Sequence, residues 1–248
     1  MAADSLVSFV IAGAQKAGTT ALFDYLSEDP GVSLSRVKEV HFFDDEAQDW
    51  ARPDYGAYHD NFAPADGRPR GEATPIYLYW PNCAERIAAY NPAMRLIVLL
   101  RDPIERAWSH WRMEYARGAE TRPFAWCIRE GRQRLFEAEP WGHHREFSYV
   151  ERGFYAEQLE RLFSHFPREQ VLVLSAQQLS REPAPILSTV RKFLGMPAGP
   201  DPSPRQVHVG KEMDYGSDLT PDDAAFLREI YADDQARLAA LTGIPIGA

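Results

Sequence analysis

The sequence predicts an α/β fold in which helices flank a central, mainly parallel β-sheet, with a P-loop-like nucleotide-binding architecture. Three apolar runs, at residues 6–12, 94–100 and 171–174, are typical of buried strands. Amphipathic helical segments alternate with these runs, and a glycine-rich turn joins the first strand to the first helix. The 248 residues suit one domain spanning residues 1–248, although two smaller domains also fit that length.

The glycine loop, defined here as residues 13–20, has the sequence Gly-Ala-Gln-Lys-Ala-Gly-Thr-Thr. Gly13 and Gly18 permit close approach of the backbone, so that N–H groups and the helix N-terminus can surround an anion. The pattern differs from the common nucleotide-binding loop because Thr19 occupies the usual lysine position and Lys16 lies three residues earlier. The loop therefore predicts a phosphate site with a displaced lysine.

Periodicity, turn and cap signals predict the other elements. A short strand at 32–34 precedes a segment at 45–71 that has turn composition, with a helical turn within 55–62. The predicted helices cover 21–26, 82–90, 104–116, part of 124–136, 153–166, 185–194 and a last helix that follows the cap Thr220 and continues to 241. Helical spacing on the predicted helix 104–116 indicates that Arg106, Ser109 and His110 lie together at the surface.

Composition restricts the classes of function. A net charge of -9 argues against general nucleic-acid binding and leaves Lys16, Arg101 and Lys211 to form a local basic pocket. The two cysteines, Cys83 and Cys127, lie far apart and match no metal spacing, which indicates buried thiols in a reduced protein. No signal-peptide pattern or apolar run of roughly 20 residues is present, so we expect a cytoplasmic protein without a membrane span.

The six tryptophans are predicted to pack in the core or at its rim. The adjacent His143 and His144 lack companion ligands at metal spacing, so we assign no metal.

The residues described so far leave two classes of function open. A kinase is suggested by Thr20, which can hold magnesium, and by Asp102 after the second apolar run. A nucleotide-binding protein without turnover is the other. Against the kinase, Arg101 at the end of that run suits a second anion.

Three segments together point to a family. Residues 15–20, residues 38–44 with the sequence Lys-Glu-Val-His-Phe-Phe-Asp, and residues 101–109 resemble the sulfotransferases that use 3'-phosphoadenosine 5'-phosphosulfate (PAPS). The second segment is similar to the heparan-sulfate branch and its bacterial small-molecule relatives. The similarity continues through residues 152–155 and the strand at 171. It implies PAPS as sulfuryl donor, adenosine 3',5'-bisphosphate (PAP) as product and no required metal.

The resemblance also implies how the donor is bound. Residues of the glycine loop bind the 5'-phosphosulfate, with Lys16 at the bridging oxygen, while Arg101 and Ser109 bind the 3'-phosphate. A basic, glycine-containing loop of the family closes over the nucleotide, and Gly210 with Lys211 matches it here. The implied donor-binding set comprises Gln15, Lys16, Ala17, Gly18, Thr19, Thr20, Arg101, Ser109, Tyr155, Gly210 and Lys211.

The implied chemistry is direct in-line transfer to a hydroxyl of a small-molecule or sugar-like acceptor, and an amine acceptor is open too. Lys16 assists the leaving phosphate, Glu39 is the general base, and His41 either orients Glu39 or is itself the base. Many heparan-sulfate members carry a lysine where this chain has Ala73, which favours a smaller or less acidic acceptor. Tyr77 and Trp80 are candidates for the lining of an apolar acceptor pocket.

Overall fold

The computed structural model describes residues 6–199, 202, 213–244 and 246. These residues fall into two compact units. The first unit comprises the described residues within 1–99 and 159–208, and the second comprises those within 100–158 and 209–248. The assignment of residues 1–248 to a single domain stays a prediction.

A five-stranded sheet forms the centre of the first unit, with the strand order β2-β3-β1-β4-β5. The strand β1 pairs in parallel with β3 and with β4, and β2 pairs in parallel with β3. The predicted mainly parallel α/β architecture is therefore confirmed. The strands are β1 (Phe9–Gly13), β2 (Ser33–Leu34), β3 (Arg70–Ala73), β4 (Arg95–Leu100) and β5 (Val171–Ser175).

The strand order places the end of β1 at a topological switch point. From β1 the chain builds β2 and β3 on one side of the sheet, and it then returns to the other side for β4 and β5. In open parallel sheets such a reversal leaves a crevice at the carboxyl ends of the strands, where ligands bind. The glycine loop leaves β1 at this position, because β1 ends at Gly13.

Strand β3 was not predicted, because its sequence Arg-Gly-Glu-Ala follows a segment rich in turn residues and has no apolar run. The side chains of Arg70 and Glu72 are nevertheless buried, at 5% and 0% exposure. Gly71 faces the ring of Phe9, which lies 2.3 Å from where a Cβ atom would stand. Packing within the sheet, rather than local propensity, therefore decides this strand.

The predicted long helices are confirmed within about three residues at each end, and α1 begins at Thr19, two residues before its predicted start and within the glycine loop. Helix α7 was missed. Among the described residues, no helix combines the length and the apolarity needed to cross a membrane. The helices are α1 (Thr19–Ser27), α2 (Tyr55–His59), α3 (Cys83–Tyr90), α4 (Pro103–Arg117), α5 (Phe124–Cys127), α6 (Tyr155–Phe163), α7 (Ala176–Arg181), α8 (Pro183–Leu194) and α9 (Pro221–Thr242), with 3-10 helices at Pro75–Leu78, Glu130–Phe136, Glu151–Gly153 and Arg168–Gln170.

The second unit has its own aromatic core, in which Trp111 of α4 is fully buried and stacks on Trp108 with ring centroids 5.0 Å apart. This packing corrects one prediction. Arg106 and His110 are fully buried rather than on the surface, and the Arg106 guanidinium donates to the carbonyl of Tyr149. Only part of the predicted Arg106, Ser109 and His110 surface group is therefore accessible.

Replacing Gly13 with alanine is expected to destabilise the first unit by about 1–3 kcal/mol, because the added methyl group overpacks the end of β1. A Cβ atom there would lie 2.5 Å from Cβ of Leu78, and neither atom belongs to the end of a flexible side chain. Urea denaturation measures the change.

Gly31→Ala is the matched control for this substitution. Its added Cβ would meet Met196 Cε at 3.0 Å, which is the mobile end of a long side chain, so the free energy of unfolding should change much less. Equal stability losses in the two variants would contradict the role assigned to Gly13.

Candidate active site

The glycine loop ends where α1 begins. Gly18, in the N-cap position, has a left-handed φ of 86°, and no side chain caps the helix. The first-turn N–H groups of a helix lack partners within the helix, and they favour an anion. Lys16 has a φ of 69°, which is uncommon for a residue with a side chain. The loop is anchored to the sheet by a hydrogen bond of 2.8 Å from Ala14 N–H to the carbonyl of Leu99.

This arrangement brings six of the predicted donor-binding residues, 15–20, into one loop and helix start. Thr19 and Ala17 are buried, Gly18 is exposed, and the side chains of Gln15, Lys16 and Thr20 are half-buried. Backbone conformation, a helix N-terminus and a lysine therefore occur together, as expected of a site for a phosphate or sulfate group.

A second group of the first unit lies in the segment before α2, and we call it the Glu39 cluster: Lys38, Glu39, His41 and Asp44. The Glu39 carboxylate contacts Lys38 Nζ at 3.1 Å and His41 Nε2 at 3.3 Å. The other ring nitrogen of His41, Nδ1, lies 3.0 Å from Oδ2 of Asp44. Asp44 is 1% exposed, whereas Glu39 is 28% exposed, so the carboxylate of Glu39 is the one within reach of a ligand.

The electrostatics of the Glu39 cluster assign different protonation states to its members. Hydrogen bonds to Asp44 and to Glu39 raise the pKa of His41 to about 9. Burial opposes ionisation of Glu39, but hydrogen bonds with His41 and Lys38 outweigh it and leave the pKa of Glu39 below its ordinary value. At neutral pH Glu39 is a carboxylate and His41 an imidazolium, which favours Glu39 over His41 as the base.

Asp44 is the member of the cluster to which the sequence assigned no role. Its position three residues after His41 in the segment 38–44 was the available signal, but spacing alone does not reveal that its carboxylate is buried against the ring. A carboxylate that holds one histidine nitrogen fixes which nitrogen faces the ligand side. Asp44 therefore orients His41 toward Glu39.

Tyr77 and Trp80 do not line an open acceptor pocket, which corrects the prediction. They are 2% and 3% exposed, and their polar atoms have partners within the first unit. The Tyr77 hydroxyl accepts from Phe42 N–H at 2.9 Å, and Trp80 Nε1 donates to Oε1 of Glu46 at 2.6 Å. Amphipathic aromatic residues are commonly buried in this way, with the polar end hydrogen-bonded.

In the second unit, Arg101 lies two residues before α4. Its guanidinium forms two bonds to Oε2 of Glu105, at 3.0 and 2.8 Å, and both side chains are exposed. The Tyr155 hydroxyl donates to the Arg101 carbonyl at 2.9 Å, and Tyr155 is fully buried, which raises its pKa. Ser109 lies on α4 and is half-buried. Tyr155 thus contacts the backbone of Arg101, and none of its side chain is exposed.

Asp102, the acid on which the kinase alternative depends, is the N-cap of α4, and its Oδ1 accepts from Glu105 N–H at 2.9 Å. This carboxylate therefore has a structural role at the start of the helix.

The remaining candidate residues have structural surroundings. His144 Nδ1 accepts backbone hydrogen bonds from Glu146 and Phe147. Within the described part of the chain, no group of three His, Cys, Asp or Glu residues is arranged to hold a metal ion. Both cysteines are free and buried, as predicted. The predicted Gly210 and Lys211 lie outside the described residues.

Comparison with known proteins gives consistent matches. The family model described as Sulfotransferase domain matches residues 7–210. Heparan sulfate glucosamine 3-O-sulfotransferase 3B1 of Homo sapiens is 31% identical over 191 residues, which cover 75% of this chain and 45% of that protein. Bifunctional heparan sulfate N-deacetylase/N-sulfotransferase 3 of Homo sapiens is 29% identical over 209 residues, which cover 78% of this chain and 23% of that protein.

Among solved structures, a sulfotransferase from Alicyclobacillus acidocaldarius superposes with a TM-score of 0.78 at 29% identity, covering 96% of each chain. The sulfotransferase domain from the curacin biosynthetic pathway has a TM-score of 0.52 at 16% identity and shares the fold. The chain spans less than half the length of the two curated relatives described above.

Proposed function

This chain belongs to the sulfotransferase family, and we propose that it transfers a sulfuryl group from PAPS to a hydroxyl of a small-molecule or sugar-like acceptor. The observation that carries the proposal is the Glu39 cluster, in which Lys38 and His41 hold an ionised and partly exposed carboxylate. The same unit contains the glycine loop, which has the features of an anion site. Family membership decides against the kinase alternative.

The residues of the glycine loop fit the 5'-phosphosulfate of the donor. Gly18 has the left-handed backbone that lets the loop bend closely around an anion, and Lys16 supplies a positive charge. PAPS, when bound, supplies an activated sulfuryl group on a phosphate leaving group. We assign Gln15, Ala17, Thr19 and Thr20 to the same contact.

A second group of residues, Arg101 and Ser109, binds the 3'-phosphate of the donor. Arg101 exchanges its exposed ion pair with Glu105 for the phosphate, and surface ion pairs of that kind cost little to break. Ser109 contributes its hydroxyl. Tyr155 acts through the Arg101 backbone, while Gly210 and Lys211 retain the role of a closing loop that the resemblance implies.

The transfer step follows from the protonation states. Glu39 accepts the proton of the acceptor hydroxyl while the acceptor oxygen bonds to sulfur. The bond between sulfur and the bridging oxygen breaks, and its electron pair goes to the phosphate of PAP. Lys16 and the loop N–H groups stabilise the charge that develops there. The His41 imidazolium keeps the Glu39 carboxylate oriented and charged until the proton arrives.

The proposed activity should fall as the pH rises through about 9, because His41 then loses the proton with which it holds Glu39. Folding raises the His41 pKa, so the stabilisation from these contacts is complete below the ordinary pKa of 6.5 and is lost as the pH rises through about 9. At acidic pH the activity should be lost when Glu39 becomes protonated, and the midpoint of this loss should lie below the ordinary glutamate pKa of 4.5.

A pH profile of kcat/KM for the wild type and for His41→Gln tests this assignment. Glutamine keeps a hydrogen-bonding side chain but does not titrate, so the variant should be slower and should lack the limb near pH 9. An unchanged limb in His41→Gln would show that another group, and not His41, is responsible.

For the acceptor, we propose a small or weakly acidic hydroxyl compound. The two curated relatives are named for heparan sulfate, a polyanion, whereas this chain has a net charge of -9 and a fully buried Ala73 where many members carry a lysine. Mass spectrometry of reactions with PAPS tests this choice, with heparan sulfate, simple sugars and phenols compared as acceptors. Sulfation of heparan sulfate alone would overturn the acceptor assignment and leave the reaction type intact.

A further inference from the structure

Glu72, on β3, is a fully buried carboxylate that no part of the proposed reaction uses. It accepts hydrogen bonds from three hydroxyl groups: Thr74 Oγ1 at 2.5 Å, the Tyr58 hydroxyl at 3.0 Å and the Tyr77 hydroxyl at 3.1 Å. Burial raises the pKa of Glu72 to about 7, although these hydroxyl groups act in the opposite direction. Burial of a carboxyl group costs free energy, and the three donors offset part of that cost and hold the group in one position.

Two of the three hydroxyl groups also hold the backbone of the Glu39 cluster. Thr74 Oγ1 accepts from Val40 N–H at 3.0 Å and, more weakly, from His41 N–H at 3.5 Å. The Tyr77 hydroxyl accepts from Phe42 N–H at 2.9 Å and from Phe43 N–H at 3.3 Å. Four consecutive backbone N–H groups between Glu39 and Asp44 are therefore bound to two side chains.

Glu72 sets the direction of these bonds. A hydroxyl group has one hydrogen and two lone pairs, and the carboxyl oxygens of Glu72 accept from three hydroxyl groups. Because the Thr74 and Tyr77 hydroxyl groups each donate their single hydrogen to Glu72, their lone pairs face the backbone N–H groups. Without this acceptor, the hydroxyl hydrogens of Thr74 and Tyr77 would be free to point toward the segment, where they would oppose the backbone N–H groups.

The segment that they hold has a strained backbone. His41 has a left-handed φ of 57°, a conformation that costs free energy for a residue with a side chain and persists only where the surroundings enforce it. The strained residue is the one whose ring nitrogens contact Glu39 and Asp44. Loss of the backbone contacts would therefore displace the ring and the carboxylate together.

We propose that Thr74 and Tyr77, directed by Glu72, are positioning residues that fix the backbone of residues 40–43 and thereby place Glu39 and His41 for proton transfer. We call these three residues the backbone bracket. The catalytic part of this inference rests on the proposed function, whereas the structural part does not. The sequence of the bracket, at residues 72–77, continues β3 into the following 3-10 helix, which makes it a rigid support.

A matched pair of tyrosines separates positioning from general stability. Both Tyr77 and Tyr58 are buried and donate to the same Glu72 oxygen, at 3.1 and 3.0 Å. Of the two hydroxyl groups, the one on Tyr77 accepts from the segment backbone. Tyr77→Phe and Tyr58→Phe each remove one hydroxyl and keep the ring, so we expect similar losses of thermal stability.

Hydrogen exchange of the wild type and the two variants tests the structural part without any substrate. We expect faster exchange at residues 40–43 in Tyr77→Phe than in Tyr58→Phe, measured on the full chain by mass spectrometry. A second pair supports the contrast: Thr74→Val should accelerate exchange at Val40, and Thr74→Ser, which keeps the hydroxyl, should restore protection. Equal exchange at 40–43 in the two tyrosine variants would overturn the proposal.

Turnover of labelled PAPS with heparan sulfate and 4-nitrophenol as acceptor probes tests the catalytic part. We expect Tyr77→Phe to lower kcat by about 10- to 100-fold through misplacement of the base, with the Kd for PAP unchanged. Tyr58→Phe should retain kcat within about threefold, because its hydroxyl does not reach the segment. Equal kcat losses in the two variants would overturn the positioning role.

The outcomes distinguish this inference from the proposed function. If the wild type transfers no sulfuryl group to either probe while the exchange contrast appears, the bracket stands as the support of residues 40–43 and the choice of reaction or acceptor fails. If the wild type transfers sulfuryl groups and the two tyrosine variants behave alike, the proposed function stands and the bracket is wrong.

Discussion

Glu39→Gln should reduce sulfuryl transfer by about 100- to 10,000-fold, since glutamine cannot take the proton from the hydroxyl group of the acceptor. Binding of PAP should stay within about twofold of the wild type, because the contacts proposed for PAP come from the glycine loop, Arg101 and Ser109 and not from Glu39. Glutamine preserves the shape of the side chain and can still contact His41. Steady-state turnover of labelled PAPS and calorimetric titration with PAP measure the two quantities separately.

Asp49→Asn is the matched control, because it also neutralises an acidic side chain of the first unit that is exposed, at 59%. Its turnover should equal that of the wild type. Wild-type kcat in Glu39→Gln would remove Glu39 from the base role. A parallel loss of PAP binding would mean that the variant disturbs the site rather than the proton transfer.

Lys16→Met should lower kcat/KM by about 100- to 1,000-fold, since it removes the cation assigned to the leaving phosphate. The substitution keeps the length and flexibility of the side chain, and so the left-handed backbone at residue 16 carries a comparable side chain in both proteins. PAP binding should weaken as well, because the lysine contacts the product phosphate in the proposed complex. Lys16→Arg should recover part of the activity.

The control for this charge change is Lys192→Met, which removes an exposed lysine from α8. It should bind PAP and turn over PAPS as the wild type does. Full activity of Lys16→Met would show that the N–H groups of the loop and helix suffice, and that the displaced lysine has no part in the reaction.

The architecture was predictable where apolar runs and caps carry the information. The strands β1, β4 and β5 follow from apolar runs, and the long helices follow from periodicity. The last helix begins at Pro221 after the predicted cap Thr220, which forms a capping box with Asp223. Strand β3 escaped prediction because Arg70 and Glu72 carry charges into a buried sheet, a situation that tertiary contacts alone decide.

The candidate site was predictable as far as linear motifs reach. The glycine loop and the pair of Glu39 and His41 were identified from adjacent residues, and the structure brings each set together. Asp44 was missed because spacing does not show that its carboxylate is buried against the His41 ring. The backbone bracket was missed because its contacts join residues up to 35 positions apart, such as Tyr77 and Phe42. Arg106 and His110 were misplaced because helical spacing does not say which face is buried.

We expect this chain to move a sulfuryl group from PAPS to an acceptor hydroxyl without a nucleotide triphosphate or a metal. The decisive measurement is incubation of the chain with labelled PAPS and an acceptor mixture in chelator-containing buffer, followed by mass spectrometry. The expected result is a sulfated acceptor and PAP in equal amounts. Intact PAPS, together with magnesium-dependent turnover of ATP by the same preparation, would contradict it.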